Sequence, residues 1–306
     1  MRIVVHGQQA FGKSVLEALL ERGENVIAVY CAPEKAGQRS DPLKEAALAQ
    51  QLPIYQPRSF RQQEVWDEFA TLNADLCVMA YVTLFVPEEM LNLPTHGTIQ
   101  YHPSLLPRHR GPSAINWPII WGETKTGLTV FWPDNGLDTG PILLQKEVEI
   151  QDRDTLGSLY FDKLYPLGVE ALLEAVDLVR NGTAPKIPQD ESRATYESWC
   201  KQEDVEIDWS KPVAEVWNLI RGADPQPGAW STCNGQVVQL YDASKRVGDA
   251  GGTPGEITAV GASSFSIAAP GGHIDVQRVR PEGGTKISAA EFVRTAGLQP
   301  GMRLGT

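Results

Sequence analysis

The side chains best equipped for chemistry cluster in Gln100-Tyr101-His102-Pro103-Ser104-Leu105-Leu106-Pro107-Arg108-His109-Arg110-Gly111. This stretch holds two of the five histidines of the chain. Imidazole is the side chain that gains and loses a proton most readily near neutral pH. Each proline fixes its own φ and pushes the residue before it toward extended geometry, so the spacing predicts a shaped loop. The loop follows a strand-like approach, His96-Gly97-Thr98-Ile99. Loops at strand ends are where α/β scaffolds place reactive groups. On spacing alone the same residues also describe a surface turn whose basic side chains face water.

The elements that must position this loop read as an open α/β sheet. Residues 2–6 are β-rich and end at Gly7, residues 11–22 carry Phe11, Val15, Leu16, Leu19 and Leu20 at helical spacing, and residues 25–30 form a second strand. This is the opening β-α-β of a doubly wound sheet, with Phe11, Leu16 and Leu19 in its core. The turn Gly7-Gln8-Gln9-Ala10-Phe11-Gly12 lacks the middle glycine of the dinucleotide fingerprint, which leaves NAD binding with little support. A polar loop over 32–44 precedes a helix near 42–51, a strand at 53–55, a helix over 61–72, a buried strand over 74–81 and a short helix start at 87–91. Residues 127–132 read as a strand running into Asp134-Asn135-Gly136-Leu137-Asp138-Thr139-Gly140-Pro141-Ile142. Apolar spacing over 155–179 predicts a long helix, kinked or split by Pro166 and Gly168. Trp117, Trp121 and Trp132 read as core.

After an irregular stretch come a short helix within 207–220 and β-rich runs at 237–241, 255–260, 264–268 and 274–279, the pattern of a sandwich or small barrel. The expected organisation is an α/β domain over 1–182, a linker over 183–205 and a smaller β domain over 206–306.

Apolar content of 42% with 21% charged residues is ordinary for a soluble globular protein. No run approaches the ~18 apolar residues of a membrane span, and the N-terminus reads as a strand rather than a signal peptide. A cytoplasmic protein is expected. Cys31, Cys77, Cys200 and Cys233 lack metal-ligand spacing and read as free thiols of a reducing compartment. No metal is expected, since no motif such as His-Glu-x-x-His occurs. The formal charge, 27 − 38 = −11, suits a protein held on nucleic acid poorly.

His-Pro-Ser-Leu-Leu-Pro-Arg-x-Arg-Gly, followed at this spacing by Asp134 to Ile142, resembles the paired signature of the folate-dependent formyltransferases. The resemblance extends over most of the chain, to Pro227-Gly228-Ala229-Trp230. Within the family it is closest to the hydrolase domain of 10-formyltetrahydrofolate dehydrogenase, through Tyr101-His102-Pro103, Asn116-Trp117, Phe131-Trp132 and Ile220-Arg221-Gly222. Methionyl-tRNA formyltransferase is the next relative.

The resemblance implies a Rossmann-like, mostly parallel sheet with a C-terminal oligonucleotide-binding-like barrel. It implies 10-formyltetrahydrofolate as formyl donor, and His102 and Asp138 as the polar catalysts. Asn-x-His is the usual family pattern, whose amide donates to the formyl oxygen. Here Gln100 stands in place of that Asn, one methylene longer. Leu84, Phe85 and Val86 are implied to line the pterin pocket, and Asp134, Asn135 and Gly136 to form the loop closing over it. Ser104, Arg108 and Arg110 are expected to shape the loop. The formyl acceptor is water or an amine. Transfer RNA is not favoured, because Lys35, Arg39 and Lys44 are nearly balanced by Glu34 and Asp41. The aldehyde dehydrogenase domain of the bifunctional enzyme is not within these 306 residues, so transfer or hydrolysis is the expected endpoint. A folate-binding or sensing protein of weak activity is the further alternative. Oligomeric state is left open.

Overall fold

The computed structural model describes residues 1–34, 37 and 39–305; Lys35, counted above in the charge of the polar loop, lies outside them. In chain order the elements are β1 (Arg2–Gly7), α1 (Gln9–Glu21), β2 (Asn25–Cys31), α2 (Pro42–Ala49), β3 (Ile54–Tyr55), α3 (Gln63–Thr71), β4 (Leu76–Ala80), α4 (Glu88–Leu91) and β5 (Thr98–His102). They continue with α5 (Asn116–Ile120), β6 (Lys125–Phe131), β7 (Ile142–Glu149), α6 (Leu156–Ser158), α7 (Tyr165–Arg180) and α8 (Val213–Gly222). The last are β8 (Trp230–Cys233), β9 (Gln236–Val247), β10 (Ile257–Val260), β11 (Phe265–Ala269), β12 (Gly272–Pro281), β13 (Ile287–Ser288) and α9 (Ala289–Ala296).

Two compact units result. One comprises Met1–Gly111, Gly127–Val148 and Asp162–Tyr196; the other comprises Pro112–Thr126, Glu149–Phe161 and the described residues from Glu197 onward.

The first unit carries a seven-stranded sheet ordered β3-β2-β1-β4-β5-β6-β7. β1 runs parallel to β2 and β4, β2 to β3, and β4 to β5, while β6 is antiparallel to β5. This is the Rossmann-like doubly wound sheet. The chain leaves β1 toward β2 and β3, then returns to β4 on the other side, so a switch point lies between β1 and β4. Every residue of β4 is buried, as a central parallel strand covered on both faces requires. Side chains alternate with period two. Ile3, Val5, Val78, Ile99 and Tyr101 pack with Phe11 and Leu16 of α1 and Leu172 and Val176 of α7. Val4, Ala28, Tyr30, Cys77 and Met79 pack on the other face with Phe60, Val65, Phe69 and Met90.

Gly168 is a point of close approach: a Cβ there would lie 2.6 Å from the Tyr101 ring and 3.1 Å from Phe11. The expected interruption of the long helix takes the form of a π-helical stretch, Leu159–Leu164, between α6 and α7. Pro166 falls in the first turn of α7, directly after this stretch.

In the second unit α8 packs on a curled antiparallel sheet ordered β10-β11-β12-β9-β8, with β13 paired to β12. Its core includes Val216, Trp217, Ile220, Leu240, Phe265, Ile267 and Val276. The curled sheet agrees with the small-barrel expectation.

Two readings of the sequence need correction. The candidate loop begins later than its prolines suggested, because Gln100, Tyr101 and His102 complete β5. Trp121 is not core: it is 52% exposed, at the end of a five-residue helix that buries Pro118 and Ile119 instead. Trp132 is buried, and Trp117 half-buried with its indole N–H donating to the Ser198 carbonyl at 2.9 Å. Cys31, Cys77 and Cys233 are buried free thiols and Cys200 is half-buried; burial pushes Cys31, Cys77 and Cys200 up to about 12. Among the described residues, no helix is long and apolar enough to cross a membrane.

His6, buried on β1 with its ring 4.7 Å from that of Phe60, is held uncharged, because burial lowers its pKa from 6.5 to about 3. Between those pH values the unfolded chain binds a proton that the folded one refuses, so stability falls as pH drops from 6.5 toward 3. One such group contributes up to ~1.4 kcal/mol per pH unit. Urea unfolding across this window should therefore show a shallower pH dependence in His6→Gln than in the wild type. Identical slopes would contradict a neutral buried His6.

Candidate active site

β5 delivers the central side chains. Gln100 and His102 are two residues apart, so both lie on the sheet face opposite Ile99 and Tyr101. Gln100 is half-buried and His102 is 5% exposed. The chain then turns through 103–111, and this turn is tied down along its length. Thr129 of β6, fully buried, donates from Oγ1 to the Ser104 carbonyl at 2.7 Å and accepts from the Leu106 amide at 3.1 Å. Gln145 of β7 donates to the Leu106 carbonyl at 2.8 Å. Ser104 Oγ donates to the Arg108 carbonyl at 2.7 Å. Thr195 accepts from the His109 amide on Oγ1 at 2.8 Å and from the Arg110 amide on its carbonyl at 3.0 Å.

This turn fixes the His102 ring. Nε2 lies 2.8 Å from the His109 carbonyl oxygen, and a carbonyl can only accept, so Nε2 carries the hydrogen. In a neutral ring Nδ1 is then the bare nitrogen. Nδ1 faces Asp138 Oδ2 at 3.6 Å, with both side chains less than a tenth exposed. The same Oδ2 accepts from the Gly111 amide at 2.9 Å. The gap of 3.6 Å exceeds a direct hydrogen bond, and a bare Nδ1 has no hydrogen to donate to the carboxylate. Asp138 and His109 both adopt the left-handed region, each with φ 56°. Such backbone in non-glycine residues persists only where surrounding bonds hold it.

The remaining predicted residues fall into a second group. Asn135 donates to Glu88 Oε2 at 3.0 Å and accepts from the Glu88 amide at 3.1 Å, which fastens the 134–140 loop to the start of α4. Leu84, Phe85 and Val86 lead directly into that helix, so the two predicted folate segments are neighbours. Val86 is buried and Leu84 packs against the same cluster, whereas Phe85 is 47% exposed with the Arg61 guanidinium 5.2 Å from its ring centre. Asp134 Oδ1 accepts from the Gly136 amide at 3.0 Å and from Thr139 Oγ1 at 2.6 Å. A Cβ at position 136 would lie 1.9 Å from Thr139 Oγ1, so any larger residue there must displace the Thr139 side chain and its bond to Asp134. Leu84 also lines an open crevice with His6, Gly7, Gln8, Ala32 and Thr83; His102 and Asp138 do not.

Sequence reading missed Gln189. Its amide donates to the Asp138 carbonyl at 2.9 Å and the Gly140 carbonyl at 2.7 Å, and its Oε1 accepts from Arg110 Nη2 at 2.7 Å. Arg110 is fully buried and forks onward to Glu191 and the Tyr196 hydroxyl. Gln189 and Thr195 lie in an irregular stretch with no periodicity, so no local pattern pointed to them. Among the described residues, no group of three or more His, Cys, Asp or Glu is placed to hold a metal ion.

Comparison with known proteins gives the family. A family model described as formyl transferase matches residues 1–176, and a model of the formyl transferase C-terminal domain matches residues 200–297. The chain belongs to the formyltransferase family. Among curated relatives it is 44% identical over 249 residues to mitochondrial 10-formyltetrahydrofolate dehydrogenase of Mus musculus, covering 80% of this chain and 27% of that protein. It is 37% identical to methionyl-tRNA formyltransferase of Geobacter metallireducens, over 100% of this chain and 99% of that one. The chain thus spans about a quarter of the mouse dehydrogenase and nearly all of the bacterial transferase. Among solved structures, HypX from Aquifex aeolicus in complex with tetrahydrofolic acid superposes with a TM-score of 0.71 at 21% identity, covering 97% of this chain and 47% of that one. The sugar 3N-formyl transferase WlaRD gives 0.69 at 19% identity, covering 90% and 97%. These structural likenesses concern the fold.

Arg110 sets a test of the loop frame. Arg110→Met removes the shared donor of Gln189, Glu191 and Tyr196 and should cost ~1–3 kcal/mol in urea unfolding. Arg110→Lys should also destabilise, because an ammonium cannot fork between Gln189 and Glu191. A loss below ~1 kcal/mol in the Met variant would show that the network contributes no more than a surface pair.

Proposed function

We propose that this chain takes the formyl group of 10-formyltetrahydrofolate and passes it to water, releasing formate and tetrahydrofolate. The observation that carries this reading is the convergence of His102 Nδ1 and Asp138 Oδ2 at 3.6 Å beside the end of β5. Nδ1 is the general base. It takes a proton from the attacking water as the water oxygen bonds to the formyl carbon. The imidazolium so formed lies against the Asp138 carboxylate, which stabilises its charge. The Gln100 amide, on the same face of β5, is the donor assigned to the developing oxyanion. Collapse breaks the bond from carbon to N10 of the folate, and Nδ1 returns its proton to that nitrogen. The pterin is assigned to the segment Leu84, Phe85 and Val86, with Asp134, Asn135 and Gly136 closing over it.

Amine acceptors define the second reading, N-formyl transfer. The bacterial methionyl-tRNA formyltransferase, matched over nearly its whole length, favours it. The net charge of −11 weighs against transfer RNA as the acceptor. The test is incubation with 10-formyltetrahydrofolate alone and then with candidate amines, following the released folate by absorbance. Turnover in water alone supports hydrolysis. Turnover only with an amine supports transfer. Tight folate binding with neither would leave a sensor and refute the enzymatic reading. His102→Ala and Asp138→Asn should each lower turnover by roughly 10²–10⁴-fold, the usual worth of a positioned acid or base, with folate affinity largely kept. Near wild-type rates in either variant would reject the assignment.

A further inference from the structure

The expected linker over 183–205 does more than connect. Its residues 185–196 belong to the first unit and run along both loops of the candidate site. A segment without regular structure must find partners elsewhere for its backbone groups, and this one finds them on those loops. At the start of the second loop, Trp132 donates from its indole N–H to the Pro185 carbonyl at 2.9 Å. At the end of that loop, Ile142 and Ile187 exchange both backbone bonds, at 2.8 and 2.9 Å. Gln189 takes the middle. The segment then reaches the first loop, where the Thr195 amide donates to the Pro107 carbonyl at 3.1 Å. Beyond it the Tyr196 ring lies 5.1 Å from the Arg110 guanidinium.

Gln189 joins the two halves of this strap. Its Nε2 donates to the Asp138 carbonyl at 2.9 Å and the Gly140 carbonyl at 2.7 Å. The first of these belongs to the peptide plane directly after Asp138, so the bond sets the ψ of a residue already held at φ 56°. With both dihedrals held, the direction in which the carboxylate leaves the main chain is held too. The loop has no slack at its other end, since a Cβ on Gly140 would lie 1.7 Å from the Trp132 carbonyl oxygen. Oε1 of Gln189 accepts from Arg110 Nε at 3.1 Å and Nη2 at 2.7 Å. Only an amide serves both sides: a carboxylate has no donor for the carbonyls, and an ammonium has no acceptor for the guanidinium.

We propose that Gln189 is a positioning residue for formyl transfer, holding Asp138 Oδ2 toward His102 Nδ1 across the gap of 3.6 Å. The catalytic consequence rests on the formyl-transfer reading; the positioning itself does not.

Gln189→Glu separates positioning from stability. The side chain keeps its shape and its acceptor for Arg110 but loses both donors. Its urea midpoint should stay near that of the wild type. With 10-formyltetrahydrofolate, kcat should fall roughly 10-fold or more, as displacement of a reacting group by about an ångström implies, with KM little changed. The nitrogen-15 signal of His102 Nδ1 should move, because the facing carboxylate has shifted. Gln189→Asn, an amide one methylene short of spanning both sides, should move the same signal and serves if the Glu variant does not fold. A purely structural Gln189 would lower stability and leave both kcat and the Nδ1 signal of the folded variants as in the wild type, which overturns the proposal. A loss of kcat with an unmoved Nδ1 signal also overturns it. Should the wild type turn over no formyl donor, the enzymatic reading fails, and the Nδ1 signal alone decides whether Gln189 positions Asp138.

Discussion

The Gly111 amide and the Asp138 carboxylate meet at 2.9 Å, and the remainder of the candidate site depends on that contact. It joins the two loops that follow antiparallel neighbours, β5 and β6. It also commits Asp138 Oδ2 to a direction that faces His102 Nδ1. A backbone donor suits this role because it cannot rotate away. The His109 carbonyl fixes the imidazole from its other side at 2.8 Å, so one nitrogen sets the ring's position and the other faces Asp138. Neither loop would hold this arrangement alone, because Asp138 and His109 both sit in left-handed backbone. The strain is offset by bonds that Thr129, Thr195 and Gln189 supply from three separate parts of the chain.

The same constraint explains the buried Arg110. A guanidinium with no exposed surface would be a liability unless its donors were matched, and its fork is shared among Gln189, Glu191 and Tyr196. Through Gln189 the charge is linked to the carbonyls of Asp138 and Gly140. Arg110 therefore acts on the geometry of the second loop without reaching the space beside His102. Asn135 and Glu88 do the corresponding work at the other end, binding the second loop to the helix that follows Leu84, Phe85 and Val86.

The parallel strands were legible because burial on both faces leaves unbroken apolar runs, as in Leu76–Ala80. Short or half-polar elements were not. β7 alternates half-buried and exposed residues over its second half, and α9 is an eight-residue helix whose start is capped by Ser288. The approach of His102 to Asp138 could be read only from a paired family signature, since the two lie 36 positions apart and neither has a local pattern of its own. Gln100 and His102 were assigned to a loop by their prolines, but the strand continues to the last residue before Pro103. Gln189 and Thr195 escaped notice for one reason: each acts through backbone groups distant in sequence, and such partners leave no periodic trace.

The central claim concerns the state of one ring, and nitrogen-15 NMR of the His102 imidazole reads it directly. The account predicts a neutral ring with hydrogen on Nε2 and a bare Nδ1. The Nδ1 signal should move in Asp138→Asn, because Oδ2 lies 3.6 Å from that nitrogen. A ring protonated on Nδ1 in its neutral form, or an Nδ1 signal indifferent to the loss of the Asp138 charge, would contradict it.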